Sequence, residues 1–324
     1  MNTLSVIKRI AQALLVVVLS YTFVFYALFL LPGDPIQNQI DNPQNPLPED
    51  IGRSLLAYYN LDKSAAEQYL VSLSRAVTGD FGYSITTGRN VIDVLAEAIP
   101  ETLRLASIGL LFAIGFALVM SLIAVYAPWS RVRTTATLVP ALLQSTPSFL
   151  VGLILLQVFS FQLGWVSSIR DEGFRSLLLP ALTLGLAVSP PIAQVLIQGL
   201  RKSSQEQFVT VLRSTGVSES TILARHVLKN ASIPVITLLG IVAGELLAGS
   251  VVTETIFNRS GIGFVTREAL RDQDSPVILA VVTFVSLVFV TVSLVTDLVY
   301  PKIDPRIAGP SQTGITKEKE SAGV

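Results

Sequence analysis

An all-α polytopic membrane protein of about six spans is the fold class this sequence predicts, on three observations. Hydrophobic residues make up 51% of the chain and charged residues only 14%, with a mean hydropathy of +0.61, values typical of multi-pass membrane proteins. Apolar runs of about 20 residues recur, each long enough to cross a hydrocarbon core of about 30 Å. Between the later runs sits a polar, basic stretch far longer than a simple return across the bilayer requires.

The same composition excludes several chemistries. The chain has no cysteine, which removes disulfides and thiolate metal sites. His226 is its only histidine, so paired-histidine metal motifs are ruled out and a Ser-His-Asp arrangement has little room. The formal net charge is +0 and gives no argument for nucleic acid.

The first span, 10–31, follows Lys8-Arg9 and reads as a retained anchor. Its apolar run is too long for the core of a signal peptide, and no small-x-small cleavage site follows. A polar region from 32 to about 100 comes next, opening on a Pro/Asn-rich stretch. Within it Tyr69, Leu70, Leu73 and Val77 recur at helical spacing, as expected of a helix lying on the membrane or on the protein. The remaining spans are expected at 105–127, 137–161, 177–197, 234–252 and 277–299. Pro140, Pro147, Pro180, Pro190 and Pro191 fall in or near the third and fourth of the six, either kinking helices beside a cavity or simply tolerated in a bundle.

Basic residues set the orientation. Lys8, Arg9, Arg131, Arg133, Arg201, Lys202, Arg213, Arg225, Lys229 and the C-terminal Lys302, Arg306, Lys317 and Lys319 share one face of a six-span arrangement. The other face carries Arg53, Lys63, Arg75, Arg89, Arg170, Arg175, Arg259, Arg267 and Arg271, together with many carboxylates on its long first loop. This modest bias favours a cytoplasmic placement of both termini and the 201–233 insert. The insert reads as two short amphipathic helices around Gly216, with Val209, Leu212 and Val217 before and beside the turn and Ile222, Leu223, Val227 and Leu228 after it. Gly216 supplies a turn that needs no Cβ. Thr210, Arg213, Ser214, Thr215, Val217, Ser218 and Glu219 surround it. Ser218 stands where it can cap the next helix, with Thr221 where a capping box places Glu or Gln.

Other polar residues inside spans are candidates for a translocation path. Gln144, Ser145, Thr146 and Ser148 flank Pro147 in the third span, as a pathway lining or as interhelical hydrogen-bonding groups. Glu245 lies in the fifth span among Gly240, Gly244 and Gly249, either functional or hydrogen-bonded across a close helix contact. Glu101 and Arg104 are placed to pair one turn apart, and Asp297 to anchor the inner end of the last span. No phosphate loop occurs, since no glycine is followed by lysine, and no G-x-G-x-x-G occurs. Work driven by ATP would therefore need an ATPase on another chain.

The insert resembles the cytoplasmic E-A-A loop of permeases of binding-protein-dependent ABC importers. Gly216 matches the loop glycine, Thr210-Val211-Leu212 stands in place of E-A-A, and Arg225-His226, Asn230-Ala231 and Pro234 resemble the peptide-transporting branch. So do Leu30-Leu31-Pro32-Gly33-Asp34-Pro35, Gly79-Asp80-Phe81-Gly82-Tyr83-Ser84, and Pro100, Thr102 and Leu103. Glu254-Thr255-Ile256-Phe257-Asn258 with Gly261-Ile262-Gly263, and Asp297-Leu298-Val299-Tyr300 with Asp304-Pro305-Arg306, complete the series in family order from about residue 5 to 307. The resemblance, to the dipeptide/oligopeptide permeases, implies a type I ABC importer (MetI-like) transmembrane domain.

With the run lengths and the polar Ser/Thr/Gly/Lys/Glu tail, the expected division is an anchor (1–31), an extracytoplasmic loop region (32–100), a permease core (101–307) with coupling loop 201–233, and a disordered tail (308–324). The implied partners are a second homologous permease, two ABC ATPases and an extracytoplasmic solute-binding protein, all in a bacterial cell membrane. ATP and magnesium would reside on the ATPases, with no cofactor and no catalysis here. Nickel or metallophore complexes are an alternative cargo for such a permease. An ion-coupled secondary transporter is the competing class, but no internal repeat supports it.

Overall fold

The computed structural model describes residues 3–29, 54, 58, 63–166 and 173–303, which are helical apart from short connections. The segment around Pro32–Pro35, most of 36–62, Asp304-Pro305-Arg306, the 308–324 tail and the Asp297 side chain lie outside the described residues. The helices are α1 (Thr3–Phe29), α2 (Ala65–Val77), α3 (Val91–Tyr126), α4 (Ser130–Ser145), α5 (Ser148–Leu155, running on as a π-helix over Leu156–Gln162) and α6 (Phe174–Ser204). They continue with α7 (Gln207–Ser214), α8 (Glu219–Thr221, passing through a π-helix at Ile222–Val227), α9 (Leu228–Ile256), α10 (Ile262–Arg271) and α11 (Ser275–Ile303). Among the described residues five helical stretches are long and apolar enough to cross a bilayer, with a sixth if the bent pair α4 and α5 counts as one span.

Small residues let the central helices approach closely, the usual means of packing where lipid removes the hydrophobic drive between spans. Along α3, Leu105, Gly109, Ala113, Ala117, Ser121 and Ala124 are buried at near-four-residue spacing. Of these, Leu105, Ala113 and Ala117 share one apolar cluster with Ala181, Leu184, Val188, Ile192 and Ala193 of α6. A Cβ on Gly185 would lie 2.6 Å from the Gly109 carbonyl oxygen, so only glycine permits that approach. Ser121 Oγ donates within its own helix to Ala117 (2.6 Å), with the Ala193 carbonyl of α6 at 3.2 Å. Further along α6, Gly199 sits against the backbone of Ala231 in α9.

At the edge, α1 packs on α11 through Tyr21, Phe25 and Leu279. The end of α1 thus meets the start of α11, and the two run antiparallel. Helix α2 lies across α1: Tyr69 hydroxyl pairs with Thr22 Oγ1 at 2.7 Å and Tyr21 hydroxyl with Ser72 Oγ at 2.5 Å. The expected surface helix is present, but its apolar stripe splits. Tyr69 and Leu73 pack on the protein, whereas Leu70 and Val77 are 63% and 79% exposed.

Three boundaries differ from the sequence expectation. Helix α3 begins at Val91 rather than 105, because Asn90 caps it by accepting from the Ile92 N–H at 2.9 Å and Val91, Leu95 and Ala98 of its first turns pack against α10 and α11. The third span is not one helix: α4 and α5 meet at 108° around Thr146-Pro147. Proline denies its N–H and clashes with the preceding turn, and among the prolines inside or beside spans this one marks the break. Pro140, Pro180, Pro190, Pro191 and Pro234 lie within continuous helices. Finally, the second short helix of the insert does not end before the fifth span. Helix runs from Glu219 to Ile256, with the π-helical stretch absorbing the join.

Candidate functional site

The insert is built on the ends of three spans. Val209, Ile222, Val227 and Ala231 are buried with Leu196 and Leu200 of α6, and Phe208, Leu212, Val217, Leu118, Leu122 and Val125 pack around them. The amphipathic faces read from the sequence therefore fold onto the bundle itself. Thr210, Val211, Arg213, Ser214, Thr215, Gly216, Ser218 and Glu219 remain exposed, with Val217 half-buried.

The turn is a Schellman close. Gly216 has φ +79°, its N–H donates to the Arg213 carbonyl (3.0 Å), and the Val217 N–H donates to Leu212 (3.1 Å). The apolar contact that accompanies this motif comes from Leu212 and Val217, both in the same cluster. Arg213 spans the turn, its Nε donating to Glu219 Oε1 at 2.6 Å and Nη2 to Oε2 at 3.1 Å. This fork holds α7 against α8. Ser218 occupies the N-cap position of α8 but makes no capping bond to the backbone. Its Oγ pairs instead with Thr221 Oγ1 at 2.8 Å, hydroxyl to hydroxyl, so the expected cap is not formed. His226 is half-buried, its ring 6.5 Å from that of Phe208.

The path candidates are dispersed by the bend. Gln144 accepts from Gln194 Nε2 of α6 at 2.8 Å. Ser145 and Thr146 donate back to their own helix, to Ala141 (3.1 Å) and Leu142 (2.8 Å), as hydroxyls in apolar surroundings do. Ser148 opens α5. Glu245 is exposed on α9 and shares a stripe with Ile241, Ala248 and Val252. The glycines around it do make close contacts, Gly240 on Thr296, Gly244 on Phe289 and Gly249 on Leu184, while Glu245 itself stays exposed. Glu101 pairs with Arg104 as expected (2.6 Å) and also with Arg259 (2.8 Å).

The buried carboxylates are elsewhere, at the end of the bundle opposite the insert. Glu254, 1% exposed, accepts from Thr102 Oγ1 (2.7 Å) and from the N–H groups of Gly263 (2.7 Å) and Phe264 (3.2 Å). Thr102 Oγ1 in turn accepts from the Ile262 N–H at 2.7 Å. A Cβ on Gly261 would occupy the space of the Glu254 carboxylate, which is why glycine stands there. Asp274, 3% exposed, accepts from Ser84 Oγ (2.5 Å) and the Ile85 N–H (3.2 Å). Together they fasten α10 to α3, α9, α11 and the 82–90 turn. Sequence reasoning noticed Glu254, Thr102 and Ser84 only as members of family-like blocks. Their burial was missed because spans were drawn from hydropathy, which ends α9 at Val252.

Residues 113–309 match the family model described as binding-protein-dependent transport system inner membrane component. Over 305 residues the chain is 33% identical to the glutathione transport system permease protein GsiC of Escherichia coli K12, covering 93% of this chain and 98% of that one. The figures are the same for the protein of that name from Shigella dysenteriae. A crystal structure of an amino acid ABC transporter aligns with a TM-score of 0.49 at 16% identity, over 65% of this chain and 94% of its own. The chain therefore belongs to the inner membrane components of binding-protein-dependent transport systems, the multi-pass permeases of ABC importers.

Proposed function

We propose that this permease imports peptides. It would work with a second homologous permease, two ATPase subunits that carry ATP and magnesium, and an extracytoplasmic solute-binding protein, with both termini and the insert on the cytoplasmic side. The observation that carries the coupling assignment is the exposed Gly216 turn, braced by Arg213 and Glu219 and seated by its apolar face on the ends of α3, α6 and α9. A turn so attached passes a displacement to three spans at once. That is what a lever needs if closure of an ATPase dimer is to reorient a membrane path. Thr210, Ser214, Thr215 and Ser218 supply the polar rim of the contact. The peptide assignment is supported by relatives named for transport of glutathione, a tripeptide, at 33% identity over nearly the whole chain.

The test is co-purification of the tagged chain from its own host with uptake of labelled dialanine in the same cells. Two ATPases and a second permease are expected to accompany the wild type and to be lost with Gly216→Pro and Arg213→Glu, each of which should abolish uptake. Uptake by the chain reconstituted alone, without ATP, would refute the reading.

A further inference from the structure

The seam between α4 and α6 carries polar side chains from the middle of the bundle to the insert end. Gln144 meets Gln194, Gln198 is exposed one turn further along α6, and Arg201 Nη2 donates to Thr137 Oγ1 at 3.2 Å. On α6 the spacing 194, 198, 201 and on α4 the spacing 137, 144 keep these groups on one face of each helix. The track ends in a pocket of about 410 Å³ lined by Ala124, Val125, Ser130, Arg133, Thr134, Thr137, Leu138 and Arg201. Arg133 Nη1 donates to the carbonyls of Ala127 (3.0 Å) and Pro128 (3.5 Å). Neither Arg133 nor Arg201 pairs with a carboxylate among the described residues. Helix α4 also begins here without a side-chain cap, so its first N–H groups and the positive end of its dipole are open to the same space.

We infer that Arg133 and Arg201 form an anion site at the inner mouth of the translocation path, which takes the carboxylate of the cargo. This rests on the import reading above. Two guanidinium groups from different helices beside an uncapped helix start suit a carboxylate, which accepts two hydrogen bonds in plane. The continuity with Gln144, Gln194 and Gln198 decides between cargo and a lipid headgroup. Exposed amides at mid-bundle are costly against hydrocarbon, so the face they share with the pocket borders water or another chain rather than acyl tails. The same track gives a departing peptide hydrogen-bonding groups along its length.

The absence of native cysteine allows a direct test. Thr134, whose hydroxyl bonds only to its own helix, is replaced by cysteine in the full chain, co-expressed with its partner subunits in membrane vesicles. Labelling rates of anionic sulfonatoethyl and cationic trimethylammonioethyl methanethiosulfonate are then compared. The anionic reagent is expected to react about tenfold faster relative to its rate on a free thiol than the cationic one. Adding Arg133→Gln and Arg201→Gln should remove that preference. Dialanine should protect the thiol and its C-terminal amide should not. Absence of a charge preference would overturn the site. A preference with protection that follows phosphatidylglycerol content and ignores dialanine would make it a lipid site and equally overturn the proposal. If dialanine protects while the intact importer fails to take it up, the import reading fails and the anion site stands.

Discussion

Glu254 joins three segments with one side chain, and its environment explains why a carboxylate is kept in so dry a place. Both oxygens are occupied, one by the Thr102 hydroxyl and the other by two N–H groups at the start of α10. An acid at a helix start also answers the positive end of the dipole. Glu254→Ala strands those N–H groups and that hydroxyl without an acceptor, at a cost of about 3 kcal/mol or more. The variant is expected to melt well below the wild type when the detergent-solubilised chain is heated and its monodisperse fraction followed by size exclusion. Glu254→Gln, which keeps the shape and one acceptor, should fall between them. Equal melting of Glu254→Ala and wild type would deny the residue this fastening role. Glu245, nine residues earlier on the same helix, makes the contrast: it is exposed and touches none of these groups.

Between helices, the decisive contact is the approach of α3 to α6 at Gly109 and Gly185. A leucine at Gly185 would drive its Cβ to 2.6 Å from one backbone oxygen and 2.8 Å from Phe112 Cβ, with no flexible side-chain tip to yield. Gly185→Leu is expected to abolish the folded monodisperse species, whereas Gly115→Leu, with nothing within 4 Å of its Cβ, should express and melt like wild type. Similar loss in both would mean that helix propensity or insertion, and not this contact, governs the outcome. Much of this level was legible in advance. The spans, the surface helix at 65–77, the Glu101–Arg104 pair and the faces of the insert all follow from periodicity and spacing. What was not legible depends on contacts distant in the chain. Hydropathy averages across Thr146-Pro147 and so returns one span where two helices meet at 108°. It also stops short of Val91 and Glu254, where polar side chains are satisfied by partners 160 and 152 positions away, through Ile262–Thr102 and Thr102–Glu254. Serine at 218 satisfies the pattern of a cap, yet a neighbouring threonine captures its hydroxyl.

Taken as a whole, the bundle is finished on some faces and unfinished on others. The exposed side of α1 is apolar, with Leu14, Leu15, Leu19 and Phe23 between 56% and 75% exposed, as lipid contact asks. The α4–α6 seam, and Glu245 on the otherwise apolar Ile241, Ala248, Val252 stripe of α9, instead present polar groups at depths where hydrocarbon would otherwise meet them. A charged carboxylate facing lipid near the middle of a span costs about 2.5–3.5 kcal/mol even by the mildest insertion scales. If the importer proposed above pairs this chain with a second permease, the α9 stripe is expected to be covered by that partner or by a water-filled path. Glu245→Leu removes the charge without changing the helix, so two readouts should move in opposite directions. The chain expressed alone should gain monodisperse yield and melt higher. On the same reading, the full assembly should lose dialanine uptake, because an apolar side chain would replace the carboxylate that the path or the partner interface meets. If the lone chain gains nothing, Glu245 is already solvated by water entering the isolated bundle. If the assembly keeps full uptake, the carboxylate serves neither the path nor the interface, and the polar seam of α4 and α6 alone must carry the cargo.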